Sequence, residues 1–211
     1  MTTRTRTAPK AAPGQPNARQ RLAEVRRQEA RRHRNRLITW GVGLLVAVAL
    51  VVAGILTSLP TRSSGVHQAS DFTLTDTSGA VHRLSDLRGK NVLLYFSEGA
   101  GCQICIVQMG EIAKRQADFD AADVVVLPIV MNSRDQILAD MAANHVTTPF
   151  LLDDGRVSEA YGTLGKGMHA GLPGHSFVLV DKQGQQRWYG EYPSMWLSPD
   201  DLLKEVGSHL A

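Results

Sequence analysis

Two cysteines occur in the chain, at the spacing Cys102-Gln103-Ile104-Cys105. Two intervening residues let the sulfurs reach bonding distance across the first turn of a helix, so a Cys102–Cys105 disulfide can form and break there. The apolar run Leu93-Leu94-Tyr95-Phe96 precedes the pair through a turn containing Gly99 and Gly101, and Ile106, Val107, Met109, Ile112 and Ala113 follow at helical spacing. A buried strand that feeds a helix through Cys-x-x-Cys is the layout of a thiol–disulfide centre. Unpaired N–H groups and the helix dipole favour a thiolate on Cys102. Cys102 is therefore read as the nucleophile, and Cys105, one turn further in, as the thiol that resolves the mixed disulfide.

Other chemistries of a cysteine pair fit less well. A structural zinc site needs two more ligands at short spacing. There is no second cysteine pair, and His145, His169, His175 and His209 are scattered. Covalent haem attachment needs His after the second cysteine, where Ile106 stands. The expectation is thus a redox centre with no metal and no bound cofactor. Glu98 lies near Cys102 in sequence and is a candidate to tune its proton affinity.

Charge is distributed unevenly along the 211 residues. Residues 1–36 hold eleven Lys or Arg and two Glu, a net +9, whereas residues 37–211 are net −6. The basic character belongs to the N-terminal tail, and a mildly acidic remainder argues against nucleic-acid binding. Residues 1–17 lack large apolar side chains beyond Met1 and cannot fold alone; residues 18–36 are compatible with a helix but carry little apolar face.

Leu37 to Leu59 is free of charge and, at about 1.5 Å per residue, long enough to cross a hydrocarbon core of about 30 Å. It exceeds the usual apolar region of a cleaved signal peptide, and no Ala-x-Ala site follows. The reading is an uncleaved anchor in membrane lipid, with the basic flank cytoplasmic and the rest of the chain outside. The expected organisation is a basic tail over 1–36, a transmembrane helix over 37–59, a polar linker over 60–70 and a folded domain over 71–211.

Within that domain the pattern predicts a hairpin (72–74 with 81–84), a strand (91–96), the Cys-x-x-Cys helix (102 to about 119), a strand (124–130) and a helix capped by Ser133. A short strand (150–152), a helical turn (157–161), a Gly-rich loop (162–174), a second hairpin (176–181 with 187–189) and a helix capped by Ser198 follow. Strand–helix alternation closed by a hairpin gives an α/β fold with a mixed central sheet flanked by helices. Pro128 inside the 124–130 strand points to an edge position or a bulge.

The segments FTLTDTSGAVHRLSDLRGKNVLLYFS, CQIC and PGHSFVLVDKQGQQRWYGEY resemble, in this order, the thioredoxin-like superfamily. The branch is that of TlpA-type membrane-tethered thiol–disulfide oxidoreductases and AhpC/TSA peroxiredoxins, with actinobacterial redoxin-domain proteins most similar. The resemblance implies a thioredoxin-like fold and exchange or reduction of disulfides in exported proteins, apocytochrome c among them, with a membrane electron donor. It also implies a cis-proline in the loop beside the cysteines. The family position falls on Gly174, with Pro173 one residue earlier as the candidate and His175 following.

The pattern departs from the family in places. Gly101 stands where TlpA-like proteins carry Trp. Peroxiredoxins place Pro and Thr or Ser seven and three residues before their reactive cysteine, and here those positions are Tyr95 and Gly99. A thiol peroxidase using Cys102 is the second reading. The third is a copper- or zinc-binding module using the cysteines with His169 or His175.

Overall fold

The computed structural model describes residues 18–57, 59–165 and 170–210. The chain divides into two compact units, residues 1–56 and 57–211.

Among the described residues the first unit consists of one helix, α1 (Ala18–Thr57). Its stretch Arg31–Leu56 contains an 18-residue window with a mean hydropathy of 2.4 and is long and apolar enough to cross a membrane by length and composition. Its large apolar side chains, such as Leu45 and Val51, are exposed. Residues 18–36, assigned to the basic tail and compatible with a helix by sequence, continue this helix without a break. Arg, Gln, Glu and Ala are good helix formers even without an apolar face. Residues 1–17 lie outside the described residues.

The second unit is built on one mixed sheet in the order β1-β9-β8-β5-β6-β7-β3-β4, with β2 also on β9. The central strand β5 (Asn91–Phe96) runs parallel to β6 (Val124–Val130) and antiparallel to β8 (Ser176–Val180). β6 also pairs in parallel with the short β7 (Leu151–Leu152). The hairpin β3 (Thr73–Asp76) and β4 (Val81–Arg83) closes one end, and β9 (Gln185–Glu191) lies beside β8 at the other.

The period-two alternation of β5 and β8 assigns two cores. Leu93, Tyr95, Phe177 and Leu179 face one side, where they meet α2 (Gln103–Lys114), α3 (Gln116–Ala121), α4 (Arg134–Ala143) and α6 (Pro199–Leu210). Val92, Leu94, Phe96, Val178 and Val180 face the other, covered by Phe72, Leu74 and Leu84 and by Val157 of α5 (Arg156–Ala160). Every residue of β5 is buried, as a strand covered on both faces must be.

Three expectations are corrected. The helix expected from 102 to about 119 is broken at Arg115, whose N–H turns back to the carbonyl of Ile112 and starts α3. Pro128 lies in an internal strand, opposite Tyr95 of β5; β7 reaches only Ile129 and Val130, so no ladder partner of β6 requires an N–H at Pro128 from that side. The segment read as a free linker over 60–70 carries β1 (Thr61–Ser63) and β2 (His67–Gln68), both antiparallel to β9. Their side chains are exposed, so no hydrophobic pattern announced them. What they contribute is backbone pairing that covers the edge of β9.

Candidate active site

The cysteines sit where β5 gives way to α2. The chain leaves β5 through Gly99 and Gly101, which both adopt the left-handed conformation (φ +70° and +90°) that glycine reaches without a Cβ penalty. The turn is tied down from outside. Asn132 Oδ1 accepts from the N–H of Ala100 at 2.8 Å, and Asp140 Oδ2 accepts from the N–H of Gly101 at 2.7 Å. Cys102 then occupies the N-cap of α2 without a side-chain cap bond, and the N–H groups of Cys105 and Ile106 point to its carbonyl at 3.0 and 3.3 Å.

Cys102 and Cys105 form a disulfide with their Cα atoms 5.3 Å apart, inside the usual range. The two sulfurs are not equivalent. Cys105 is fully buried, whereas Cys102 is part exposed and lines an open cleft of about 540 Å³. Among the residues named from sequence, Glu98, Gly174 and His175 line that cleft with Cys102.

His175 is 1 % exposed. Its Nδ1 lies 3.2 Å from the hydroxyl of Tyr95, which also donates to the carbonyl of Cys105 at 3.0 Å. The imidazole packs edge-on against Tyr95 and Phe177. Burial lowers the pKa of His175 to about 4, so the ring is neutral at physiological pH, and burial pushes the Tyr95 phenol well above its ordinary range.

Sequence reasoning missed Tyr95, Asn132 and Glu191, which also lines the cleft. A phenol in the otherwise apolar buried run Val92–Phe96 was the available signal, because a buried hydroxyl needs a partner.

Pro173 is corrected. No cis peptide bond occurs among the described residues. Pro173 is held in an extended antiparallel bridge with Leu164, flanked by Gly165 N–H to Leu172 O (2.7 Å) and Gly174 N–H to Thr163 O (2.8 Å). These bonds suit the trans form, which X–Pro favours unless the surroundings demand otherwise. For the metal reading, no three His, Cys, Asp or Glu side chains cluster as a metal site among the described residues, and His169 lies outside them.

The position three residues before Cys102 bears on the peroxidase reading. A Cβ on Gly99 would collide with Asn132 Oδ1 and stand 2.7 Å from Val130 Cγ1. The site therefore has no room for the Thr or Ser that peroxiredoxins place there.

The AhpC/TSA family model matches residues 66–188. The thiol-disulfide oxidoreductase ResA of Geobacillus kaustophilus is 31 % identical over 142 residues, covering 56 % of this chain and 82 % of that protein. A putative peroxiredoxin of Mycobacterium tuberculosis is 31 % identical over 130 residues, covering 59 % of this chain and 83 % of that protein. The reduced 2-Cys peroxiredoxin of Plasmodium vivax superposes with a TM-score of 0.60 at 20 % identity, over 69 % of this chain and 96 % of that one, a likeness of fold. The family match takes in β5, the cysteine pair and β8 together, the parts that build the redox centre, and on that ground this oxidoreductase belongs to the AhpC/TSA family.

Proposed function

We propose that the protein is a membrane-tethered thiol–disulfide oxidoreductase working on the outer side of the membrane, with Cys102 as nucleophile and Cys105 as resolving thiol. The observation that carries this reading is the asymmetry of the pair: one sulfur opens to a cleft at a helix N-terminus and the other is fully buried one turn behind it. An incoming group meets Cys102 first.

In the reducing direction the Cys102 thiolate attacks one sulfur of a substrate disulfide, and the other leaves as a thiolate that takes a proton from solvent. The Cys105 thiol then loses its proton and attacks Cys102 Sγ. The second substrate thiolate departs and the Cys102–Cys105 disulfide remains. Two electrons pass to the substrate, and a membrane donor must return them, because an outer compartment is oxidising. Substrates in this reading are disulfides of exported proteins, apocytochrome c included. The organisation into a basic cytoplasmic tail, an anchor over 37–59 and an outer redoxin domain over 71–211 belongs to the same proposal, and the apolar stretch of α1 supports it.

The test uses the full chain in detergent. Cys105→Ser, mixed with a disulfide-bonded protein, is expected to accumulate a mixed disulfide through Cys102, and Cys102→Ser is expected to accumulate none. The reduction potential then gives direction: a value near −270 mV marks a reductant and one near −120 mV an oxidant. Failure of the wild-type pair to form an intramolecular disulfide at any poise overturns the reading. The peroxidase reading draws on the mycobacterial relative, but the crowding at Gly99 speaks against it.

A further inference from the structure

Both sequence neighbours of Cys102 are tied to the same helix. Gly101 donates its N–H to Asp140 Oδ2 at 2.7 Å, and Gln103 donates from Nε2 to Asn144 Oδ1 at 3.4 Å. Asp140 lies in α4 and Asn144 is its C-cap, one turn later, so the two side chains fall on one face and bracket Cys102. Asn144 Nδ2 donates to the carbonyl of Asp140 at 2.8 Å, which leaves Oδ1 for Gln103. The two ties differ in charge. Asp140 is a part-buried carboxylate, and among the described residues no Lys, Arg or His pairs with it. By covalent reach its charge stands no more than about 10 Å from Cys102 Sγ. The other ionisable groups around Cys102 are Glu98 in the same turn, the neutral His175 ahead of β8, and Glu191 of β9 with Tyr192 after it; no Lys or Arg lines the cleft among the described residues.

We infer that Asp140 is a positioning residue of the redox centre: through Gly101 it holds Cys102 in place over Cys105, and its negative charge opposes a thiolate on Cys102, so that both effects favour the disulfide. The inference rests on the function proposed above and adds a residue that biases the pair toward giving up electrons. Like charges disfavour one another, so the carboxylate costs the reduced form whenever Cys102 is ionised. A bracket that persists in the dithiol leaves less freedom to lose when the two sulfurs rejoin.

The experiment equilibrates the full chain in detergent, at low salt, with reduced and oxidised dithiothreitol and traps the thiols by alkylation. Reduction breaks the Cys102–Cys105 bond, closes the cyclic disulfide of dithiothreitol and passes two electrons and two protons between them. Asp140→Asn keeps an oxygen for the Gly101 N–H but removes the charge. In a Cys105→Ser background it is expected to move the alkylation midpoint of Cys102 to lower pH. With both cysteines present and the pH above that midpoint, the equilibrium is expected to move roughly 2- to 4-fold toward the dithiol, which makes the potential about 9–18 mV less negative. Well below the midpoint Asp140→Asn leaves the equilibrium where it was, because a neutral thiol feels no repulsion. Asp140→Ala also drops the tie and is expected to shift the equilibrium there too; no shift overturns the positioning role. A merely structural role moves Asp140→Asn equally on both sides of the midpoint, and that result, or an unmoved midpoint, overturns the inference. Should Asp140→Asn not fold, Asn144→Asp decides, because it adds a charge on the other side of Cys102. A midpoint at higher pH supports the inference, and one that stays or falls overturns it. Wild-type protein that forms no disulfide in any of these buffers would instead overturn the proposed function.

Discussion

The hydroxyl of Tyr95, on the central strand, donates to the carbonyl of Cys105 at 3.0 Å, so the strand holds the first turn of the active-site helix through a single buried hydrogen bond. Tyr95 is an odd-numbered residue of β5, and the strand's alternation turns it to the face that α2 covers. Tyr95→Phe is expected to lower stability by about 1 kcal/mol. It leaves the Cys105 carbonyl with one partner fewer and the Nδ1–H of His175 unpaired. Thermal unfolding in detergent should show a Tm roughly 2–4 °C lower, and an unchanged Tm would refute the role given to the phenol.

The neutral state of His175 makes stability depend on pH. Burial lowers its folded pKa from the ordinary 6.5 to about 4, so between those values the unfolded chain binds the proton and the folded chain does not. The stabilisation is complete above about pH 6.5 and is lost progressively as pH falls toward 4, on the order of 2 kcal/mol between pH 7.5 and pH 5. Chemical denaturation at the two pH values measures it. In His175→Phe this part of the pH dependence should disappear, and a slope equal to that of the wild type would contradict it.

Asp76 acts in a lower window and through a different cause. Burial alone would raise its pKa, but hydrogen bonds from the Ser78 hydroxyl, His82, and the Ala80 and Ser78 amides outweigh it and hold the carboxyl at about 2. Stability from this turn is present above the ordinary carboxylate range and is lost as pH falls through about 2. Asp76→Ala removes the acceptor for all four donors and is expected to cost about 1–3 kcal/mol at neutral pH. Urea unfolding at pH 7 checks it, and a change under about 0.5 kcal/mol would contradict the assignment.

Gly99→Thr puts the peroxiredoxin residue at its family position. The left-handed backbone and the collision with Asn132 Oδ1 both oppose it. The variant is expected to be destabilised by about 1–3 kcal/mol. It should consume peroxide no faster than the wild type in the reduced state. A stable variant with faster turnover would return the peroxidase reading to the front.

Much of the molecule was legible in the chain. The apolar run of β5, the Gly-rich turn, the cysteine spacing and the helical periodicity after it are local signals, and each element they predict is present. The capping box of Ser133 and Gln136 was readable for the same reason, since both partners lie within one turn. Backbone pairing that uses no apolar side chain was not legible, and so β1 and β2 were read as linker. The break at Arg115 left no mark on the hydrophobic period either.

The sequence by itself determined that a disulfide-forming pair stands at a helix N-terminus after a buried strand, because four residues and their flanks are enough to specify it. Only the tertiary structure decided what surrounds that pair. His175 lies 80 residues from Tyr95 along the chain, and it arrives there because β8 pairs antiparallel with β5, Phe177 opposite Tyr95. Asn132 and Asp140 reach the cysteine turn from beyond the end of β6 and from α4 in the same way. Strand register and helix packing set these meetings through long-range burial, and no local run of residues encodes them.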